Sequence, residues 1–142
     1  MTREDEEMLL ADLCARLSYG VKCEVYNRIG VLDEVTTFYG VGVTYSNGQD
    51  TTCRIDECKP YLRPMSSMTE EEKKEFIHYA GYEVEESVNG RHYEYYLKDY
   101  VGTPETPICN CNSIDWCNKN HFDYRGLIPM GLAIDATNLN IY

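Results

Sequence analysis

VTYSNGQDTTC, residues 43–53, is the stretch that decides the fold prediction. β-Branched and aromatic residues, which favour strands, lie on both sides of Asn47-Gly48. Asn-Gly between two such runs is the strongest short-range signal for a β-hairpin, because both residues tolerate the positive φ of a type I′ turn. We therefore predict a two-residue hairpin turn at Asn47-Gly48.

The residues before this hairpin extend it into a small sheet. Residues 21–25 alternate between apolar and polar side chains, and residues 35–45 are rich in Val, Thr and Tyr. Three or four short strands within 21–55 predict a small antiparallel sheet or a partly closed barrel.

Helices are predicted before and after the sheet segment. Thr2 can cap a helix over residues 3–17, where leucines recur at helical spacing. Thr69-Glu70-Glu71-Glu72 is a capping box that predicts a middle helix to about residue 79. A second hairpin (82–100) and two short C-terminal helices (114–120 and 124–130) complete a single predicted α+β domain, residues 1–142.

The charge of the chain limits its partners. The 142 residues include 13 Lys plus Arg and 24 Asp plus Glu, a net charge of −11. We expect no direct binding to nucleic acid or to a membrane, because both attract an excess of positive charge. The opening residues do not form a secretory signal and no run reaches the ~20 apolar residues of a membrane span, so we expect a cytoplasmic protein.

The cysteines predict neither disulfides nor a metal. Their number is odd and their spacing matches no secreted framework, so we expect free thiols at Cys14, Cys23, Cys53, Cys58, Cys109, Cys111 and Cys117. Cys109, Cys111, Cys117 and His121 are four soft ligands within thirteen residues and offer a possible zinc site as the alternative, but the gap between the paired cysteines is shorter than in usual zinc motifs. We predict no metal and no cofactor.

Three segments resemble a group of uncharacterised small proteins encoded by gut Bacteroidales bacteria and their phages. They are KPYLRPMSSMTEEEKKEF (59–76), IDWCNKNHFDYRGLIPMGLAIDA (114–136) and LADLCARLSYGVKC (10–23). The resemblance implies a phage or mobile-element setting and the cytoplasm of a bacterial host cell. The group tends to have Leu at the position of Cys117, which implies that this side chain fills apolar space.

The first candidate site is a basic and aromatic segment that leads into the middle helix. A helix N-terminus presents unpaired N–H groups that can hold phosphate or carboxylate. The candidate ligand-binding residues are Lys59, Tyr61, Arg63, Ser66, Ser67 and Thr69. The alternative is a Pro-kinked connector in which Thr69 and Glu72 cap the helix internally.

The second candidate site is the cluster at residues 121–125. His121, Tyr124 and Arg125 could bind a ligand or, with Asp123, exchange protons. The alternative places Asp123 as a helix N-cap, Phe122 and Tyr124 in the core and Arg125 beside a surface acid. We assign no catalytic residue, because no nucleophile is identifiable from the spacing.

These observations predict a phage accessory, anti-defence protein that sequesters a small anionic ligand without turnover. The expected ligand is a nucleotide immune signal, and we expect a homo-oligomer in which a tyrosine-rich strand (93–100) contributes to the interface. One alternative is an acidic inhibitor that binds a host protein by mimicking nucleic acid. A small hydrolase using His121 is the other alternative.

Overall fold

The computed structural model describes residues 1–38, 40–79 and 111–142. They form an α+β fold with three α-helices and a mostly antiparallel sheet that stays open, so the predicted sheet is confirmed and the barrel is not formed. The helices are α1 (Arg3–Arg16), α2 (Glu70–Tyr79) and α3 (Cys111–Lys119). The strands are β1 (Lys22–Val25), β2 (Arg28–Val35), β3 (Gly40–Tyr45), β4 (Asp50–Arg54), β5 (Cys58–Pro64), β6 (Phe122–Asp123) and β7 (Ile134–Asp135).

The chain divides into two compact units. Unit 1 comprises Met1–Leu62 and Leu127–Tyr142, and unit 2 comprises Arg63–Gly126. The strand β5 belongs to both units, because its residues up to Leu62 pair in unit 1 and its last two residues pair with β6 in unit 2.

Helix α1 begins at the predicted residue and ends at Arg16, one residue before the predicted end. The Thr2 hydroxyl accepts from the Asp5 N–H at 3.1 Å and the Asp5 carboxylate accepts from the Thr2 N–H at 2.9 Å, which completes a capping box. A 3₁₀ turn over Leu17–Tyr19 follows α1, and Gly20 at φ 66° ends it. The left-handed φ explains the glycine at this position.

Strands β1 to β4 form an antiparallel meander in which each strand pairs with the next. The hairpin of β1 and β2 has a two-residue turn at Tyr26-Asn27, where both φ angles are positive (51° and 59°). The predicted hairpin at Asn47-Gly48 exists, but its turn type is wrong. The Tyr45 N–H donates to the Gln49 carbonyl at 2.8 Å, so the loop consists of the three residues 46–48. Of these three residues, Gly48 alone has a positive φ, 82°. A three-residue loop needs one left-handed residue after a type I turn, and Gly48 supplies it.

The predicted connector at residues 59–68 begins instead as strand β5. In unit 1, β5 pairs antiparallel with β1, with Pro60 opposite Cys23, and parallel with β7 through Tyr61 and Leu62. The two prolines of this segment, Pro60 and Pro64, do not fit the interior of an α-helix. Its strand partners lie far away in the sequence, so the local pattern does not reveal them.

The core of unit 1 lies between α1 and one face of the sheet. Leu9 and Leu13 of α1 pack against buried side chains of the sheet and of the C-terminal segment: Val21, Cys23, Val25, Leu32, Val41, Val43, Tyr45, Cys53, Ile55, Cys58, Leu62, Leu127, Leu132 and Ala133. Successive side chains of a strand point to opposite faces of the sheet, and residues paired across strands share a face. The residues that alternate with the buried ones therefore lie on the face away from α1. We call this opposite face of β1 to β4 the outer face.

Tyr142 connects strands β1 and β5 of unit 1 through its hydroxyl group. The Tyr142 hydroxyl accepts from the Lys22 N–H at 2.8 Å and donates to the Tyr61 carbonyl at 2.9 Å. The Lys22 ammonium donates to the Ile141 carbonyl at 2.6 Å. Desolvation of the Tyr142 hydroxyl raises its pKa, so it remains a neutral donor at physiological pH.

Unit 2 has its own core around Trp116. The indole ring stacks on Phe122 with centroids 5.4 Å apart and meets Phe76 edge-on at 5.6 Å. Met68 and Cys117 are buried in the same cluster. The Trp116 N–H donates to Glu75 Oε2 at 3.3 Å, which joins α3 to α2.

The second predicted C-terminal helix, over 124–130, is wrong. Phe122-Asp123 forms strand β6, and turns follow it up to Gly131. Asp123 therefore does not cap a helix, because its main chain pairs in parallel with Arg63-Pro64. Gly126 at φ 77° also interrupts any helix here. The predicted second hairpin and the tyrosine-rich strand at 82–100 lie outside the described residues.

Candidate functional site

The predicted ligand residues fall into both units. Lys59 and Tyr61 lie on β5 in unit 1, and the other candidates lie in unit 2. Lys59 is exposed and lies opposite Glu24 of β1. The Tyr61 hydroxyl donates to Glu24 Oε2 at 3.1 Å, and desolvation together with this hydrogen bond raises its pKa. Glu24 thus binds Tyr61 and lies opposite Lys59 in the strand register.

Unit 2 brings the two predicted segments together. The Arg63 N–H donates to the His121 carbonyl at 2.8 Å, and the Arg63 guanidinium lies 4.2 Å from the centre of the Phe122 ring. This proximity follows from the parallel pairing of β5 with β6, which joins segments almost sixty residues apart. Arg63 of the first candidate site and the 121–125 segment of the second therefore lie in one cluster within unit 2.

The guanidinium of Arg63 is engaged by a carboxylate. Its two terminal nitrogens donate to the two oxygens of Glu72, both at 2.7 Å. Glu72 also accepts from the Thr69 N–H at 3.1 Å, and the Thr69 hydroxyl accepts from the Glu72 N–H at 3.2 Å. The predicted capping box is thus confirmed, and the same carboxylate holds both Arg63 and the start of α2.

The electrostatics of this pair favour the charged form of Glu72. Partial burial acts to raise its pKa, but the hydrogen bonds from Arg63 and Thr69 outweigh burial and lower it. The guanidinium of Arg63 has five N–H donors, and two of them bind Glu72. The guanidinium therefore has donors left for another acceptor.

The remaining candidates in unit 2 differ in how open they are. The Ser67 hydroxyl donates to the Pro64 carbonyl at 2.7 Å, whereas Ser66 is exposed. Arg125 is exposed and its guanidinium lies 5.0 Å from the centre of the Tyr124 ring. His121 is half-buried with φ 63°. Of the three basic candidates in unit 2, Arg63, His121 and Arg125, the last is the most exposed to solvent.

The cysteines of the described part of the chain do not gather into a metal-binding group. Among residues 1–38, 40–79 and 111–142, no group of three or more His, Cys, Asp or Glu side chains could hold a metal ion. Cys109 lies outside those residues, Cys111 is exposed and Cys117 is buried beside Trp116. In unit 1, a thiol–thiol hydrogen bond to Cys58 and burial raise the pKa of Cys53, so that thiol stays protonated.

The outer face of the sheet in unit 1 carries a feature that sequence reasoning missed. Ile29 and Val31 of β2 point to this face and are 47% and 39% exposed. Glu24 lies opposite Ile29, and Thr44 lies opposite Val31. The alternation of Ile29 and Val31 with the buried Gly30 and Leu32 is the signal that could have revealed it.

A β-bulge places two consecutive acids on the outer face. The register of β2 against β3 shifts between Leu32 and Glu34, which leaves Asp33 as the extra residue. Glu34 lies opposite Gly42, and the Asp33 carboxylate accepts from the Thr44 hydroxyl. Asp33 and Glu34 are both exposed, so carboxylates flank the apolar pair.

Comparison of the chain with protein-family models, curated proteins and solved structures found no match. In the part of the chain that the structure describes, no helix is long and apolar enough to cross a bilayer.

Proposed function

We propose that this protein binds another protein through the outer face of its sheet and thereby inhibits it, in the setting of a phage accessory, anti-defence protein. The observation that carries the proposal is the exposed pair Ile29 and Val31, flanked by the carboxylates of Glu24, Asp33 and Glu34. An apolar centre with a charged rim is the usual anatomy of a protein–protein interface.

Charge identifies the kind of partner. Lys22 lies opposite Val31 on β1, but the two exposed acids Asp33 and Glu34 and the net charge of −11 favour a partner whose surface is basic, because complementary charge accelerates encounter and excludes acidic competitors. Proteins that bind nucleic acid carry such surfaces. This partner class agrees with the inhibitor that mimics nucleic acid.

The test compares capture by matched variants. The purified protein, its outer-face variant Asp33→Lys/Glu34→Lys and a control variant Glu70→Lys/Glu71→Lys are used as baits in a Bacteroidales lysate. The control makes the same charge change at two exposed acids of α2 in unit 2. We expect a basic protein that the wild type and the control retain and the outer-face variant loses.

Ile29→Ser/Val31→Ser separates the apolar contribution from charge. We expect it to weaken the same capture at low and at physiological salt, whereas the charge variant matters most at low salt. If every captured protein binds all baits equally, the outer face is not the binding surface.

A second candidate function is binding of a small anionic, nucleotide-like ligand in unit 2. The observation that favours it is the pairing of β5 with β6, which places Arg63 beside the 121–125 segment that carries His121, Tyr124 and Arg125. A phosphate would take the guanidinium donors that Glu72 does not use, and a base could stack on Tyr124.

Calorimetry with cyclic and ADP-ribose-type nucleotides tests this candidate. We expect Arg125→Ala to weaken binding by about 1.5–3 kcal/mol, the range for a hydrogen bond to a charged group, while Lys74→Ala leaves it unchanged. Arg125→Ala is preferred to Arg63→Ala, because removing Arg63 also leaves Glu72 without its ion pair. Absence of heat with all of these nucleotides would exclude the ligand class.

A further inference from the structure

The strand β4 presents a main-chain edge in unit 1. Among the described residues it pairs with β3 on one side and ends the strand order. The hydrogen bond from the Tyr45 N–H to the Gln49 carbonyl sets the phase of the ladder. In an antiparallel pair the hydrogen-bonded positions alternate, so the N–H and C=O groups of Asp50, Thr52 and Arg54 point away from β3.

The side chains of these three residues are self-complementary. All three are exposed, and their partners in β3 are Thr44, Gly42 and Gly40. An antiparallel partner strand of the same sequence, centred on Thr52, places Asp50 opposite Arg54 on both sides of a two-fold axis. Opposite charges at facing positions stabilise a strand pair, and like charges destabilise it.

We propose that β4 pairs antiparallel with β4 of a second copy, so that the two sheets of unit 1 become continuous across a two-fold axis. Such an isologous contact repeats each interaction twice and closes as a dimer. It also covers a strand edge that has no second partner among the described residues and that could pair unspecifically. The proposal uses β4 rather than β2, so it stands or falls independently of the proposed function.

The charges select one register. Sliding the partner strand by two residues places Asp50 opposite Thr52 and Arg54 opposite Gly48, or Arg54 opposite Thr52 and Asp50 opposite Asp56, so neither charge faces an opposite one. A parallel arrangement would place Asp50 beside Asp50 and Arg54 beside Arg54. Only the antiparallel register centred on Thr52 pairs both charges.

Existing contacts of Asp50 and Arg54 shape this interface, and the Asp50 carboxylate accepts from the Thr44 hydroxyl at 2.8 Å. The Arg54 N–H donates to Glu57 Oε2 at 2.9 Å, so Arg54 contributes its carbonyl and the main-chain contacts come mainly from Thr52 and from the Asp50 N–H. The Arg54 guanidinium pairs with Asp56 at 3.2 Å, but its side chain is 76% exposed. An exposed ion pair is exchanged at little cost, so Arg54 can turn to Asp50 of the second copy.

Sedimentation velocity over a range of protein concentrations tests the dimer. The small contact area predicts a weak, salt-sensitive dimer in the wild type. Arg54→Asp should sediment as a monomer, because acids then face each other at both ends of the pair. Asp50→Arg should do the same with facing cations.

Mixing and rescue give the decisive readout. The Arg54→Asp and Asp50→Arg chains should form a heterodimer when mixed, and the double exchange Asp50→Arg/Arg54→Asp should restore the homodimer. Thr52→Pro removes an N–H that points away from β3, so it should abolish the dimer while the circular dichroism spectrum stays unchanged. A wild type that sediments as a monomer at every concentration, or a dimer that Arg54→Asp leaves intact, would overturn the proposal.

Discussion

Glu72 shows how one side chain can serve two neighbours. Its carboxylate accepts both terminal nitrogens of Arg63 and the main-chain N–H of Thr69. The two uses are separable, because glutamine at this position can still complete a capping box but cannot form an ion pair. Substitution by glutamine therefore isolates the pairing with Arg63.

We predict that Glu72→Gln destabilises the fold by about 1 kcal/mol at neutral pH, since the pair is partly open to solvent. The pKa of Glu72 is lowered in the folded state, so its stabilisation is full above the ordinary value of 4.5 and is lost as pH falls through the lowered pKa. Urea unfolding at a series of pH values checks this. The difference between wild type and Glu72→Gln should shrink in acid, and a difference independent of pH would contradict the pairing.

Gly48 is the residue that closes the β3–β4 hairpin. Its φ is 82°, and a Cβ there would meet no atom within 4 Å, so the backbone conformation and not space restricts this position. We predict that Gly48→Val lowers stability by about 1–3 kcal/mol, because β-branched residues are strained at positive φ. Gly48→Asn is the control and should lose less, since Asn tolerates this region. Equal melting temperatures for wild type and Gly48→Val would show that the loop conformation is wrong.

At the scale of the element, α1 carries a buried ion pair on its sheet-facing side. Arg16 donates to both oxygens of Asp12 at 2.8 and 3.0 Å, and both side chains are 0% exposed. The i, i+4 spacing brings the two groups together on the helix. Burial removes both from water, so each depends on its neighbours for compensation.

We predict that Asp12→Ala destabilises the fold by about 3–5 kcal/mol, because it leaves the Arg16 charge buried without this carboxylate. Asp12→Leu/Arg16→Met removes both charges and should recover much of that loss. Chemical denaturation of the single and double variants measures the difference. A double variant less stable than Asp12→Ala would show that Arg16 is stabilised mainly by other groups.

Elements with local signals are those that the sequence predicts well. The N-cap Thr2 and the capping box at Thr69 mark the starts of α1 and α2, and the Asn47-Gly48 region marks a hairpin even though the loop has one residue more. These features depend on residues only a few positions apart. Their physics is therefore contained in a short window of sequence.

Elements that depend on distant pairing are not predictable in this way. The parallel partners of β5 follow it by about sixty and seventy residues, and this pairing converts a predicted helix start at Asp123 into strand β6. For the candidate sites, the residue types at 59–69 and 121–125 are visible in the sequence. The Arg63–Glu72 pair, which offsets the charge of Arg63, and the exposure of Ile29 and Val31 require the three-dimensional structure.

At the scale of the whole molecule, the excess of acids acts against the compact state. With 24 Asp plus Glu against 13 Lys plus Arg, folding brings like charges closer together. We predict that adding sodium chloride from low to physiological ionic strength raises the melting temperature by a few degrees, because salt screens this repulsion. Potassium chloride should act equally, as a general screening effect requires. A melting temperature that falls with salt would show that attractive pairs dominate.

The discontinuity of unit 1 has a consequence for the order in which the chain folds during translation. Residues 1–62 leave the ribosome before residues 63–142, and α1 with the β1–β4 meander can form from contacts between neighbours in the sequence. Strand β7, which pairs with β5, is synthesised only after all of unit 2. The nascent protein therefore passes through a stage in which β5 lacks one of its partners, and that strand is then exposed to chaperones and to other nascent chains.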